Sequence, residues 1–590
     1  MAAGLLVWFL WPFVIHGFRF PLGPDAPVYM WWTRLASHDG LSAVGHRPGV
    51  PALALVLDGT LHLPLVATLA GLECALAVAI GLGSAALARG MGRDRATWLL
   101  AGILAGTFAV HLAAGYLANL AFAALFIAAA VMLGRTERRA TLAAAVLLGA
   151  SGLAHPLFFL LGVAILLISA ALAWRIDRAE AARVAVATVG GGAMLSAGLL
   201  LLSIGPGPLN VDTSRDGFLR RAGLGDALRS IYLDRFVHRW TRYVQWASVP
   251  LAIGGLRDAT GFEGRFLRAW GITLVAGMGL ALATGIAPAD RFITFGYVVP
   301  ILAALGLVRL WRALGARRAL ALAVTGALTG AMLAGALIAW ARQEPFLSEL
   351  EASRVATAAR YAAGTAPGTT LVFLANDVAP SITFLATRAA NVIRAGMPAE
   401  RIRSVVLRVP WPEAPAPTER WELAHLTRDD VRAAQRAGNG RSETFVLAPF
   451  DPVYLYSEAD LPGLVSEGVF VTLPSIQPRP VADPLEPSSP AEIAFAALAV
   501  FAALGAAGYG WARAASSEPW RALALAPAFG AAAIMVMGVA LERAGLALSG
   551  AIGPTIVSVI AGGGGYVVWF VLERRAASDA THQIDRQPHE

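Results

Sequence analysis

An aspartate follows directly on the first apolar segment of the chain. Residues 21–34 read PLGPDAPVYMWWTR, so Asp25 precedes an aromatic-rich stretch that is typical of a membrane surface. A carboxylate held at that level can accept the proton of a hydroxyl group as a general base. Asp25 could instead cap the helix that follows, since Pro27 would stand in its first turn. The residue types leave both roles open.

Other polar side chains could line a site near Asp25. Glu73 stands in an apolar segment, where a carboxylate either pairs with a His or Arg or belongs to a site. His111 and His155 fall near segment ends, where a histidine can line a ligand pocket or serve in hydrogen-bonded packing. The other candidates for the lining are Tyr29, Asp39, His46, Arg47, Tyr116 and Asp290.

Arginines supply the candidate phosphate ligands. The segment 217–243 repeats apolar residues at helical spacing, with arginines between them. Such a helix lies in the membrane interface, and guanidinium groups such as Arg235 and Arg239 could clamp a lipid phosphate through paired hydrogen bonds. The simpler interpretation is a membrane-surface helix without a ligand.

The composition excludes several kinds of site. All 47 basic residues are arginine, so a P-loop lysine, a pyridoxal Schiff base and a Ser-Lys dyad are excluded. The single cysteine, Cys74, excludes an internal disulfide and a metal site built from several cysteines. The net charge is +8, but the arginines stand between apolar runs, which favours a role in membrane topology over nucleic-acid binding.

The chain of 590 residues is 57% hydrophobic and 15% charged, with a mean hydropathy of +0.61. A helix needs about 20 apolar residues to cross a bilayer. About fourteen segments approach that length: 3–20, 64–88, 97–117, 118–134, 140–154, 157–174, 185–204, 243–256, 269–286, 293–309, 319–340, 491–511, 521–541 and 550–573. The sequence therefore predicts a polytopic α-helical membrane protein, with residues 1–20 as an uncleaved first span.

Arginine clusters recur in every second loop, beginning with Arg89, Arg93 and Arg95 and ending with Arg574 and Arg575. The positive-inside rule makes those loops cytoplasmic. Both termini are then cytoplasmic, and the segments 21–50, 205–242, 287–292 and 342–490 lie outside.

The outside segment 342–490 has the composition of a separate domain. It predicts strands at 370–375, 404–409, 444–448 and 469–473, with helices at 379–396 and 427–438. Alternating strands and helices indicate an α/β domain with a mainly parallel sheet, which would support the membrane part or dock an acceptor. The expected division is a membrane module at 1–341, this domain at 342–490, helices at 491–575 and a disordered cytoplasmic tail at 576–590.

The combination of features resembles the GT-C superfamily of integral-membrane glycosyltransferases. The features that carry the resemblance are a first span leading to an outer loop with Asp25, many spans with short loops, Arg291-Phe292 at the entrance of a late span, and an outer α/β domain. The bacterial members related to protein O-mannosyltransferases and aminoarabinose transferases are the most similar. The three spans after the outer domain depart from the usual family layout.

The resemblance implies an enzyme of the bacterial plasma membrane that moves a sugar from a polyprenyl-phosphate donor to a glycan, lipid or protein acceptor. Asp25 would be the catalytic base in an inverting displacement, and Arg291 would contact the donor phosphate, with Arg235 and Arg239 as further candidates. A second acidic residue is left open between Asp39, Asp58 and Glu73. No cofactor is implied, although a divalent cation could assist.

Two other classes of function stay open at the level of sequence. A transporter or lipid flippase would show internal repeats and a polar site at mid-membrane, whereas the polar candidates here collect near the outer edge. A non-catalytic membrane scaffold or sensor would use the α/β domain as its binding module.

Overall fold

The computed structural model describes residues 1–23, 25–45, 47–109, 115–201, 247–284, 290–375, 391–408, 442–447, 469–471 and 477–584. Four predicted site residues, His46, His111, Arg235 and Arg239, lie outside these ranges. So do the predicted helix at 427–438 and part of the one at 379–396, of which 391–396 is helical.

The first half of the described chain is helical. Its helices are α1 Ala2–His16, α2 Ala26–Asp39, α3 Gly49–Leu61, α4 Leu65–Gly90, α5 Arg95–Phe108, α6 Leu117–Leu133, α7 Arg138–Ala154, α8 Pro156–Trp174 and α9 Arg178–Leu201. A short 3₁₀ helix, Leu41–Val44, joins α2 to α3.

The later helices flank a small sheet. They are α10 Ser248–Gly255, α11 Gly261–Thr284, α12 Asp290–Ile293, α13 Val298–Ala313, α14 Arg318–Ala341, α15 Glu349–Gly364, α16 Pro490–Ala515, α17 Pro519–Arg543 and α18 Ile552–Ile584. The last helix continues to Ile584, so residues 576–584, which we expected to be a disordered tail, are helical.

Seven described helices are long and apolar enough to cross a membrane: α4, α8, α9, α14, α16, α17 and the Ile552–Arg575 part of α18. Each of the fourteen predicted segments overlaps a helix, but several of these helices are shorter than a full span. Segment 97–117 is an example, because α5 ends at Phe108. The count of fourteen spans therefore stays a prediction.

The helix α3 was not predicted. Its sequence, GVPALALVLDGTL, is apolar but only 13 residues long, or about 20 Å. A helix of that length is too short to cross a hydrocarbon core of about 30 Å. It follows α2 within the segment between the first two predicted spans, and it packs against α17 and α18.

Strands β1 Thr370–Ala375, β2 Val405–Arg408, β3 Ser442–Leu447 and β4 Val469–Val471 form one sheet in the order β2-β1-β3-β4. The central strand β1 is parallel to β2 and to β3, while β4 pairs antiparallel with β3 at the edge. The four strands stand where the sequence predicts strands, within two residues at each start. Domain boundaries at 342 and 490 stay predictions.

Ion pairs join loops that the alternation of arginine clusters assigns to one side. The Arg135 guanidinium lies 3.1 Å from the Glu518 carboxylate, and Arg312 lies 3.3 Å from Asp94. Arg513 pairs with Glu573 at 3.0 Å. These contacts connect loops and helix ends that are far apart in sequence, at one end of the helices.

Contacts at the opposite end join the segments predicted to lie outside. The Leu41 backbone N–H donates to the Glu542 carboxylate at 3.1 Å, and Gly23 N–H donates to the Glu344 carbonyl at 2.9 Å. The backbone N–H of Ser488 donates to the Arg19 carbonyl at 3.0 Å. These contacts bring together described segments that the arginine pattern assigns to one side, and the topology itself stays a prediction.

Candidate functional site

Asp25 stands at the N-cap position of α2, and Pro27 lies in the first turn, as the sequence predicts. Its backbone carbonyl accepts a hydrogen bond from the Val28 N–H at 3.0 Å. Its side chain makes no capping hydrogen bond to α2. The capping role that the sequence left open for Asp25 is therefore not observed. The helix places Asp25 at its start and fixes the backbone there.

Aromatic residues hold α2 in place. Tyr29, Trp31 and Trp32 are buried, and the Tyr29 and Trp32 rings meet edge to face with centroids 5.7 Å apart. The Arg47 guanidinium lies 5.9 Å from the centre of the Trp32 ring. Two predicted lining residues, Tyr29 and Arg47, thus both contact Trp32 on the helix that begins at Asp25.

Gly115, just before α6, lies next to the start of α2. A Cβ atom built on Gly115 would lie 2.7 Å from the Ala26 nitrogen and 3.0 Å from the Asp25 nitrogen. Gly115 also has a φ of +99°, which favours glycine. Tyr116 follows directly, buried at the N-cap of α6. Tyr116 therefore directly follows a residue that lies against the Asp25 loop, and its membership of the site stays a prediction.

Glu73 also reaches this loop. Its side chain is 3% exposed on α4, and the carboxylate accepts a hydrogen bond from the Leu22 backbone N–H. Leu22 is three residues from Asp25, so Glu73 lies near the Asp25 loop, and its membership of the site stays a prediction.

His155 serves in packing and capping. Its Nδ1 accepts a hydrogen bond from the Phe158 N–H at 3.3 Å, at the N-cap of α8. The ring is buried and stacks on the Phe158 ring with centroids 4.3 Å apart. These contacts correspond to the packing role that the sequence left open for this histidine.

Asp39 does not lie beside Asp25. It ends α2, whose 14 residues separate the two carboxylates by about 20 Å along the helix axis. Its oxygens contact His38 Nδ1 and Arg403 Nε, each at 2.6 Å. Burial raises the pKa of Asp39, but hydrogen bonds from His38 and Arg403 outweigh this and lower it overall. The prediction that Asp39 lines the Asp25 site is therefore wrong, because the helix carries it away.

Asp290 and Arg291 begin the short helix α12, and their side chains lie outside the described part of the structure. The chain after α12 packs on the C-terminal end of α5, where the Phe108 and Tyr297 rings have centroids 5.4 Å apart. Gly115, which lies next to the Asp25 nitrogen, follows Phe108 by seven residues in the sequence. The backbone of α12 and Asp25 thus lie at the same end of the helices.

A second polar feature lies against α2 and was not predicted as a site. A cavity of about 330 Å³ opens between α2, α3, the start of α4 and residues 483–486. Asp58 of α3 lines it, and burial raises the pKa of this carboxyl to about 6, partly offset by the charge of His62. The sequence offered Asp58 only as one of three open acidic candidates, since its environment depends on tertiary packing.

Arg34 forms the opposite wall of this cavity. It is nearly buried, its guanidinium lies 2.7 Å from the Asp483 carboxylate, and it also donates to the Ala395 carbonyl. The Arg34 guanidinium is therefore already paired with Asp483, in the segment before α16.

Among the described residues, no three His, Cys, Asp or Glu side chains form a group that could hold a metal ion. Within the described residues, the candidate site consists of carboxylates, aromatic rings and backbone groups near the start of α2.

No family model matches the chain, and no curated protein matches it in sequence. Its structure is similar to the crystal structure of ArnT from Cupriavidus metallidurans in the apo state. That match has 15% sequence identity and a TM-score of 0.41, and it covers 81% of this chain and 98% of the other. A similarity at this level assigns no activity, and the function proposed next depends on the residues of this chain.

Proposed function

We propose that the chain is a GT-C-type membrane glycosyltransferase that moves a sugar from a polyprenyl-phosphate donor to an acceptor hydroxyl on the outer face of the membrane. The observation that carries the proposal is the position of Asp25. Asp25 follows the first helix, and its carboxylate makes no capping bond to α2. Gly115 and Glu73 both lie against the loop that holds Asp25.

In this proposal Asp25 takes the proton of the acceptor hydroxyl while the hydroxyl oxygen attacks the anomeric carbon of the donor. The new glycosidic bond forms on the face opposite the departing phosphate, so the configuration inverts. The bond between the anomeric carbon and the phosphate oxygen breaks, and polyprenyl phosphate leaves with its electron pair.

Cations must stabilise the phosphate as its negative charge develops. Arg291 is the leading candidate, because α12 lies at the same end of the helices as Asp25. Arg235 and Arg239 are further candidates. A guanidinium suits this role, since it can donate two parallel hydrogen bonds to phosphate oxygens. A divalent cation is compatible with this chemistry, but we assign no ligands to one.

We further propose that the end with Asp25 faces outward and that both termini are cytoplasmic in a bacterial plasma membrane. The arginine clusters support this orientation through the positive-inside rule. The sheet of β1–β4 would then lie outside, where it can dock a glycan, lipid or protein acceptor.

The activity is testable with the full-length protein in lipid nanodiscs. A panel of polyprenyl-phosphate sugars would be offered with glycan, lipid and peptide acceptors, and mass spectrometry would follow release of polyprenyl phosphate. We expect one donor to be consumed and the product linkage to be inverted by NMR. Folded protein that consumes no donor while moving labelled polyprenyl lipid between leaflets would contradict the proposal and favour a flippase.

A further inference from the structure

An apolar groove of about 500 Å³ lies far from Asp25, at the end of the helices that carries the arginine clusters. Helices α7, α9, α16, α17 and α18 form its walls. We propose that this groove binds one acyl chain of an anionic phospholipid whose head-group phosphate contacts Arg139.

The wall contributed by α7 has a consistent pattern. Arg139, Leu142, Ala143 and Val146 all line the groove, at the spacing of one helical face. Leu142 and Val146 are 67% and 44% exposed, so this face has no protein neighbour that covers it fully among the described residues. The four positions span about 10 Å along the helix axis. The apolar wall formed by α7 therefore extends from the level of Arg139 toward the middle of the bundle.

Small side chains make the space. Ala532 and Ala533 of α17 and Ala514 and Ala515 of α16 line the opposite side. Trp511 is fixed beside them, because its indole N–H donates to the Ala561 carbonyl at 2.6 Å. A hollow with walls of this composition holds a hydrocarbon chain and offers nothing to a polar ligand.

Arg139 is the single charged residue of the described lining. Its side chain is exposed and has no hydrogen bond or ion pair with the described residues. The nearby Arg513, in contrast, already contacts Glu573 at 3.0 Å and the Ser517 carbonyl at 2.9 Å. An unpaired guanidinium at one end of an apolar groove matches a lipid, which carries its phosphate at the end of its acyl chains.

Native mass spectrometry of the full-length protein, with phosphatidylglycerol or phosphatidylcholine added to the detergent micelles, tests the proposal. We expect retained phosphatidylglycerol to exceed phosphatidylcholine about fivefold, because the choline cation of phosphatidylcholine offsets the charge of the phosphate that both lipids carry. Arg139→Gln should abolish this preference. Arg317→Gln, which changes an exposed arginine at the same end but outside the groove, should leave the preference intact.

A second pair of variants tests the groove itself. Ala532→Trp and, independently, Ala143→Trp should reduce retention of both lipids, because the indole fills the space of the acyl chain. Leu322→Trp, on an exposed face of α14, is the matched control and should have no effect. Equal retention of the two lipids by the wild type, an unchanged preference in Arg139→Gln, or full retention by a folded groove-filling variant would each overturn the proposal.

Discussion

At the scale of single residues, Asp58 illustrates how burial changes a carboxyl group. Its pKa is raised from 3.8 to about 6 by burial, and the charge of His62 offsets only part of this effect. The folded protein then binds a proton at Asp58 more tightly than the unfolded chain does. The resulting stability is present below about pH 4 and is lost as the pH rises through about 6.

We therefore predict that Asp58→Asn stabilises the protein at pH 8 and has little effect at pH 4. The amide keeps the shape of the neutral acid and removes a charge whose burial costs at most about 3 kcal/mol. Thermal unfolding of both proteins in the same detergent at the two pH values measures the difference. A variant that is less stable than the wild type at pH 8 would show that the charged form is needed for folding.

Gly115 is a second residue whose role depends on its neighbours. We predict that Gly115→Ala reduces transfer at least tenfold, because its Cβ would lie 2.7 Å from the Ala26 nitrogen and would displace the Asp25 loop. Gly92→Ala is the control, since Gly92 also has a positive φ, of +72°, but nothing within 4 Å of its Cβ position. Equal losses in initial-rate assays of the two variants would mean that backbone strain alone is responsible.

The candidate site could be predicted from sequence only where the relevant signal is local. Asp25 was identifiable because it follows an apolar segment and precedes aromatic residues. The contact from Glu73 to Leu22 depends on how α4 packs against the loop, and no spacing in the sequence encodes it. The error at Asp39 was avoidable, since a helix of 14 residues separates its ends by about 20 Å.

At the scale of elements, α2 connects the start of the chain to the segments around the sheet. The Trp31 indole donates to the Asn391 side chain at 3.1 Å, and Arg403 contacts Asp39 at the end of the helix. Arg34 binds the Ala395 carbonyl and Asp483. The same helix begins at Asp25, so a displacement of the sheet region would shift the candidate base.

We predict that Arg34→Met destabilises the protein by about 2 kcal/mol, because it removes charge-assisted hydrogen bonds from a nearly buried guanidinium. Arg19→Met is the matched control. The Arg19–Glu349 pair is 3.6 Å long and well exposed, so its loss should cost no more than about 0.5 kcal/mol. Chemical denaturation in mild detergent gives both values, and equal costs would refute a clamping role for Arg34.

The strands were predictable because short β-branched runs between turn residues are a local signal. Their order was not, since β3 pairs with β1 across a long stretch of chain. The short helix α3 was missed for a different reason: its composition resembles a truncated span, and only its packing against α17 and α18 shows where it belongs.

At the scale of the whole molecule, contacts at each end of the helices join segments that the sequence places on the same side of the membrane. We predict that Glu486→Cys reacts with a membrane-impermeant maleimide in intact spheroplasts, and that Arg575→Cys reacts only after lysis. Both positions are exposed, while the native Cys74 is buried and provides a low background. Labelling in the reverse order would invert the proposed orientation and would place Asp25 inside the cell.

The most direct measurement of the central proposal is the transfer rate of Asp25→Asn. The substitution keeps the size of the side chain and removes the base, so kcat should fall by about 10²–10⁴-fold while the Tm stays unchanged. Asp39→Asn, at the other end of the same helix, should retain nearly full activity. Transfer by Asp25→Asn at the wild-type rate would contradict the assignment of Asp25 as the catalytic base.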